Sequence, residues 1–208
     1  MTRPPLSGRM RADMADFLSA EHALHIGGEP FQDAGGGATA GDFWRWAFSD
    51  ILMDTLRGSF AEFLVARLIG ETGHPPPDTT ACDILTSAET RVEVKSTAFV
   101  QRWTTPRKNP ALSFSGLKRK PYNYDTGVYG VESYLADVYV FCLLAEKDRT
   151  KIDVFDLTQW EFYVVTQGDL ERITRNRSSV SLASLRSHVK PCPVERLSSE
   201  VSQPSPAS

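Results

Sequence analysis

At 208 residues the chain is long enough for one α/β domain with its own core, and too short for a catalytic domain plus a separate targeting domain of normal size. A net charge of −3 excludes a generally basic coat, so any polyanion binding must come from a local patch. Cys82, Cys142 and Cys192 form no CxxC, which excludes a thiolate zinc site and a disulfide framework and points to a reducing compartment.

The segment Met1 to Gly8 lacks an apolar core of signal-peptide length, and the longest apolar run is only Val138 to Ala145, so a cytoplasmic, membrane-free chain is expected. Residues 1–41 read as a flexible segment: a loose Pro, Arg and Gly-rich start, a short amphipathic helix between Arg11 and His25, then a break from Gly27 to Gly41. The run Gly35-Gly36-Gly37 follows no strand and leads into no Gly-Lys-Ser or Gly-Lys-Thr, so it is read as a loop rather than a phosphate cradle. His22, His25, His74 and His188 lack acidic partners in sequence and are read as surface residues. No internal repeat and no Gly-x-Ser-x-Gly elbow occurs.

Asp42 to Gly70 carries the longest helical pattern, with a break near Ser49-Asp50 where a Ser cap suits a new start, and Gly70 as its stop. Ile51, Leu52, Leu56, Phe60, Phe63, Leu64 and Leu68 give it a broad apolar surface for packing on a sheet. Glu62 shares a face with Gly58, Ser59 and Ala66, small residues that let another backbone approach, so this acid is expected to look into a site. His74-Pro75-Pro76-Pro77-Asp78 is a linker, since three prolines cannot continue a helix.

Cys82 to Thr86 and Arg91 to Thr97 then read as two strands joined by a hairpin loop at Ser87 to Thr90. At period two, Val92 and Val94 share one face and Glu93 and Lys95 the other. With the turn centred near Glu89, Asp83 lies across from Lys95 on the face of Glu93. Two carboxylates and an ammonium then converge, and mutual repulsion of the carboxylates favours a divalent cation between them. Asp78 is the alternative to Asp83, but the prolines place it in a loop.

From Gln101 to Tyr124 the chain carries Arg102, Arg107, Lys108, Lys118, Arg119 and Lys120 and no acid, interleaved with Trp103, Phe114, Tyr122 and Tyr124. Basic groups neutralise phosphates and aromatic faces stack on bases, so nucleic acid is expected here, with Arg102, Trp103, Arg107, Lys108, Lys118, Arg119 and Lys120 in contact. Asp137 to Ala145 is a strand buried on both faces, Trp160 to Thr166 another, and Lys151 to Leu157 a short strand or edge. Asp169 to Ile173 and Ser181 to Val189 read as helices, the second with a Ser cap. The domain is expected to span 42–197 and the tail from Ser198 to be disordered.

The order of helix acid Glu62, strand acid Asp83 and Glu93-Val94-Lys95 resembles the PD-(D/E)xK nuclease superfamily. The segments Arg57-Gly58-Ser59-Phe60-Ala61-Glu62-Phe63-Leu64-Val65-Ala66 and Val92-Glu93-Val94-Lys95-Ser96 are similar to an uncharacterised bacterial and phage group usually placed there. The resemblance covers roughly residues 42 to 190. It implies a restriction endonuclease-like α/β fold, a mixed four- to five-stranded sheet with the 42–70 helix on one side and C-terminal helices on the other. It also implies Mg²⁺, or Mn²⁺ in its place, held by Asp83, Glu93 and the Val94 carbonyl, with Glu62 on a second ion or an ion-bound water. Lys95 orients or activates the attacking water. The expected activity is hydrolysis of phosphodiesters, foremost in DNA, by a homodimer if the substrate is a duplex. A nuclease for RNA or branched DNA, or a binding module that grips without cutting, are the rivals.

Overall fold

A computed structural model describes residues 27–30, 37–73, 82–102, 111–123 and 126–207. The chain divides into two compact units, Met1–Ser49 and Asp50–Ser208. In the first, helix α1 (Ala40–Phe48) starts two residues before the expected boundary. Thr39 and Asp42 form a capping box that satisfies the exposed N–H groups of its first turn. The Arg11 to His25 helix and the Gly35 to Gly37 run lie outside the described residues.

The expected break near Ser49-Asp50 is present, but Ser49 does not cap the next helix. Its hydroxyl donates back to the Arg45 carbonyl, while Asp50 turns the chain by accepting from the Leu52 N–H. Helix α2 therefore begins later and spans Asp54–Leu68, with Ala61, Leu64 and Val65 buried against the sheet. Phe63 stays outside at 54 % exposure, so the apolar surface that meets the sheet is narrower than the sequence pattern suggests.

The main sheet is mixed, in the order β1-β2-β6-β7. Strand β1 (Ile84–Leu85) runs antiparallel to β2 (Arg91–Ala98), β2 parallel to β6 (Val138–Leu144), and β6 antiparallel to β7 (Trp160–Thr166). Every residue of β6 is buried, as expected for a central strand with both faces covered. One face packs Val92, Val94, Val140 and Val164 against α2. The other packs Tyr139, Phe141, Leu143 and Tyr163 against helices α3 (Gln167–Thr174) and α4 (Leu182–His188), each capped by a hydroxyl, Thr166 and Ser181. Between β2 and β6 lie three short strands, β3 (Ser113–Phe114), β4 (Tyr122–Asn123) and β5 (Val128–Tyr129); β3 pairs with β8 (Val180–Ser181), and β4 with β5.

Two expectations are corrected. Lys151 to Leu157 is not a strand: Asp148, Asp153 and Asp156 each accept backbone N–H bonds two residues on, which folds the segment into turns. The tail is not without order either. Helix α5 (Leu197–Ser202) buries Leu197 and Val201 on the α2 side of the sheet, and the Ala207 N–H reaches Asp169. Among the described residues no helix is long and apolar enough to cross a membrane.

Because Leu143 is fully buried on β6, Leu143→Ala should cost about 2–5 kcal/mol of folding stability, read as a lowered denaturation midpoint at unchanged slope.

Candidate active site

The hairpin between β1 and β2 sets the geometry. Its register pairs Ile84 with Val92 and Leu85 with Arg91, so the turn centres on Ala88 rather than Glu89. The cause is the loop: the Thr86 N–H bonds the Thr90 carbonyl, and Glu89 takes a left-handed conformation (φ 68°), as the third residue of a hairpin loop commonly does. Asp83 consequently stands across from Glu93, not Lys95. A shift of two residues preserves parity, so the expected shared face survives.

Asp83 leaves the regular ladder at the start of β1 but stays bonded to β2. Its N–H donates to the Val92 carbonyl (3.0 Å), and its carboxylate accepts from the Val94 N–H (2.7 Å), taking the place of the next backbone acceptor. In an extended strand a residue's N–H and C=O leave by the same edge, so the Val94 carbonyl lies on the edge that Asp83 occupies.

Glu93 is 3 % exposed, and the Lys95 ammonium donates to it at 2.6 Å. Arg119, assigned to a phosphate-binding patch on sequence grounds, instead reaches this pair. Its Nη2 lies 2.8 Å from Glu93 Oε1 and 3.3 Å from Asp83 Oδ1, so one cationic nitrogen bridges the two carboxylates. Burial raises the Glu93 carboxyl above its ordinary value and Asp83 adds to this, while Lys95 and Arg119 oppose it. Burial works against the Arg119 charge, yet Glu93 and Asp83 hold its pKa above the usual value.

Glu62, on α2, joins the same electrostatic cluster. Burial, then the Asp83 charge and, less strongly, Glu93, push its carboxyl from 4.5 to about 7, against the pull of Lys95 and Arg119. Asp83, Glu93 and Lys95 are thus joined by ion pairs through Lys95 and Arg119, and Glu62 is near enough to feel their charges. Among the described residues, however, no three His, Cys, Asp or Glu side chains converge into a ready-made ion cage. Cys82, beside Asp83, is no nucleophile: burial pushes its thiol to about 12.

The expected nucleic-acid residues are dispersed. Arg102 pairs with Asp50 at 3.2 Å, and the Lys118 ammonium donates to the Asn176 carbonyl at 2.5 Å and lies over the Tyr134 ring. Lys120 is exposed; Trp103, Arg107, Lys108 and the alternative acid Asp78 lie outside the described residues.

Two features went unread in the sequence. A cavity of about 370 Å³ beside α3 and α4 is lined by Arg172, Arg175, Arg177 and His188, a basic surface adjoining Lys118 through Asn176. Arg57, 2 % exposed, lies under β2 and donates to Ser96. Its signal was its place on the α2 stripe, four residues before Ala61 and seven before Leu64, where a charge is out of pattern. Compared with protein-family models, curated proteins and solved structures, the chain matches none.

A carboxyl raised in the folded state stabilises that state while protonated in both forms, and this stabilisation is lost as pH rises through the raised value. In metal-free buffer the wild type should lose stability between about pH 4.5 and 7. Glu62→Gln should flatten this decline, as read by denaturation midpoints across that range.

Proposed function

We propose that the chain is a metal-dependent nuclease of the PD-(D/E)xK type, with a restriction endonuclease-like fold, hydrolysing phosphodiester bonds in DNA. The observation that carries this reading is the bridging of Asp83 and Glu93 by a single cationic nitrogen, with Lys95 on the same face. A position where two carboxylate oxygens face one positive charge suits a hard divalent ion, and the donor set is all oxygen. Asp83, Glu93 and the Val94 carbonyl would hold Mg²⁺ or Mn²⁺, with Glu62 on a second ion or an ion-bound water. When bound, such an ion polarises the scissile phosphate and lowers the pKa of a coordinated water.

The chain's own residues carry the remaining work. Asp83, tied to the Val94 N–H, and Glu93, held by Lys95, are oriented before substrate arrives. Lys95 has further N–H donors beyond the one given to Glu93, and directs one to a non-bridging phosphate oxygen, where negative charge builds as the bond to the leaving oxygen breaks. Arg119 must leave the carboxylates for an ion to take its place, and its next partner of suitable charge is the substrate phosphate. Lys118, next in the chain to Arg119, reaches Asn176 between the arginines beside α3 and α4, which offer further positive charge to a polyanion. Two copies acting as a homodimer would cut both strands of a duplex.

The test is incubation of linear, circular, single-stranded and branched DNA with and without Mn²⁺. Cleavage by the wild type should fall at least about a hundredfold in Glu93→Gln and Lys95→Ala, while Lys95→Ala loses far less DNA affinity in Ca²⁺ than it loses cleavage. Full cleavage by Lys95→Ala would sink the assignment.

One observation favours a second reading, a binding module that does not cut. Lys95 and Arg119 balance Asp83 and Glu93 without any ion, as a structural ion-pair cluster would. Arg119→Ala separates the two. For a metal site, removing the competing guanidinium should enlarge the rise in melting temperature produced by Mn²⁺, by mass action. For a structural cluster Mn²⁺ should leave the melting temperature of wild type and variant unchanged.

A further inference from the structure

Strand β1 begins at Ile84, opposite Val92, and among the described residues no other strand pairs with β2 on that side past Val94, whose N–H is taken by Asp83. A cleft of about 260 Å³ lies along this edge, lined by Arg57, Lys95, Ser96, Ser113 and Ser115. Asp54 also lines it and is the one carboxylate in the lining. Lys95 belongs to both places: it borders the cleft and holds Glu93 at 2.6 Å.

Arg57 is the informative group. It is 2 % exposed, and three of its nitrogens each make one bond: Nε to Ser96 Oγ (3.2 Å), Nη1 to the Leu52 carbonyl (3.3 Å) and Nη2 to Asp54 Oδ1 (2.8 Å). These bonds fix the plane of the guanidinium. Each terminal nitrogen carries a second N–H beyond the one so used, the fork that matches two oxygens of a phosphate. The Asp54 partner is 56 % exposed at its side chain, so water screens it, whereas the arginine charge is buried. Besides Gln101 and Phe114, the lining is thus two cations, one screened carboxylate and four hydroxyls, from Ser96, Thr97, Ser113 and Ser115, a chemistry that favours an oxyanion over a cation.

We infer that this cleft is a phosphate subsite, which holds a further phosphate of the substrate strand whose scissile phosphate reacts at Asp83 and Glu93. The inference rests on the nuclease reading. Successive phosphates of one strand rise by about 3.4 Å along the helix axis, and Ser96 lies about 10 Å along β2 from Glu93 at about 3.3 Å per residue. Lys95, which borders the cleft and holds Glu93, joins the two places at the edge of β2, so a strand cut at the carboxylates can set a further phosphate in the cleft. The group held is either an internal diester or a terminal monoester, and the two share the oxygens that Arg57 and the serines would contact.

The experiment uses the full chain, with inorganic phosphate as the probe in metal-free buffer and oligonucleotides bearing 5′-phosphate or 5′-hydroxyl as probes in Ca²⁺, without cleavage. Phosphate should raise the melting temperature more than chloride at equal ionic strength. Ser115→Asp, which sets a negative charge at the exposed mouth and leaves buried Arg57 intact, should abolish that difference and weaken oligonucleotide binding by at least about tenfold. Arg57→Gln should do the same where it folds, and Ser113→Asp serves as the second mouth variant. Tighter binding of the 5′-phosphate form that Ser115→Asp removes identifies a terminal monoester; equal binding of both forms, equally weakened, identifies an internal diester. A phosphate effect that survives in both mouth variants overturns the inference. Cleavage in Mn²⁺ is scored separately: a phosphate effect without cleavage sinks the nuclease reading alone, and cleavage without a phosphate effect sinks the subsite alone.

Discussion

Everything in the site depends on one substitution of a side chain for a backbone group. Where β1 leaves the sheet, Val94 would lose its partner for an N–H that is buried with the strand, and an unmade bond of that kind costs about 1–3 kcal/mol. The Asp83 carboxylate supplies the missing acceptor at 2.7 Å. The bond fixes Asp83 beside Glu93, and it ends β1 without leaving a vacancy in the ladder. Strand termination and acid placement are therefore the same event.

The acids bring a second constraint. Glu93 is 3 % exposed, and a buried carboxylate is tolerated only when paired or protonated. Here Lys95 and Arg119 pair it, and their placement differs in kind. Lys95 sits two residues along the same strand, so the period of the strand brings it to Glu93. Arg119 comes from a distant loop held by backbone bonds between Arg119 and Ser133 in both directions and by the Leu117 N–H on Ser178. The first cation is built into the strand, and the second depends on the tertiary fold. This is the physical basis for reading Arg119 as the displaceable partner.

That contrast also explains what could be read from sequence. Glu93 and Lys95 follow from period two, and Asp83 from hairpin parity, which tolerated a turn centre misplaced by one residue because the register moved by two. Local rules carry such conclusions over short separations. Arg119 was legible only as part of a basic stretch, since nothing local connects it to residues 83 and 93, and its charge fits phosphate and carboxylate equally well. Arg57 was legible in principle as an arginine on an apolar stripe, but long side chains often lie along such stripes and reach water, and only packing showed that this one does not. In the tail the serines and prolines concealed Leu197 and Val201, which stand four apart as a helix requires.

An exposed strand edge is ordinarily a liability, since its free backbone groups invite pairing with another chain. Longer pairing by β1 would close the β2 edge opposite Ser96 and Ala98 and satisfy that backbone fully. It would also bury the path by which any ligand reaches Lys95 and the acids, and fill the cleft under which Arg57 lies. The edge is kept open but not bare: Asp83 takes its first free donor, Lys95 flanks it, and charge on both sides discourages a hydrophobic strand from docking. A polyanion is the class of partner that such an edge attracts, because the groups that repel an apolar strand are those that bind phosphate. The short length of β1 thus accounts together for the shape of the site and for the charge displayed along it.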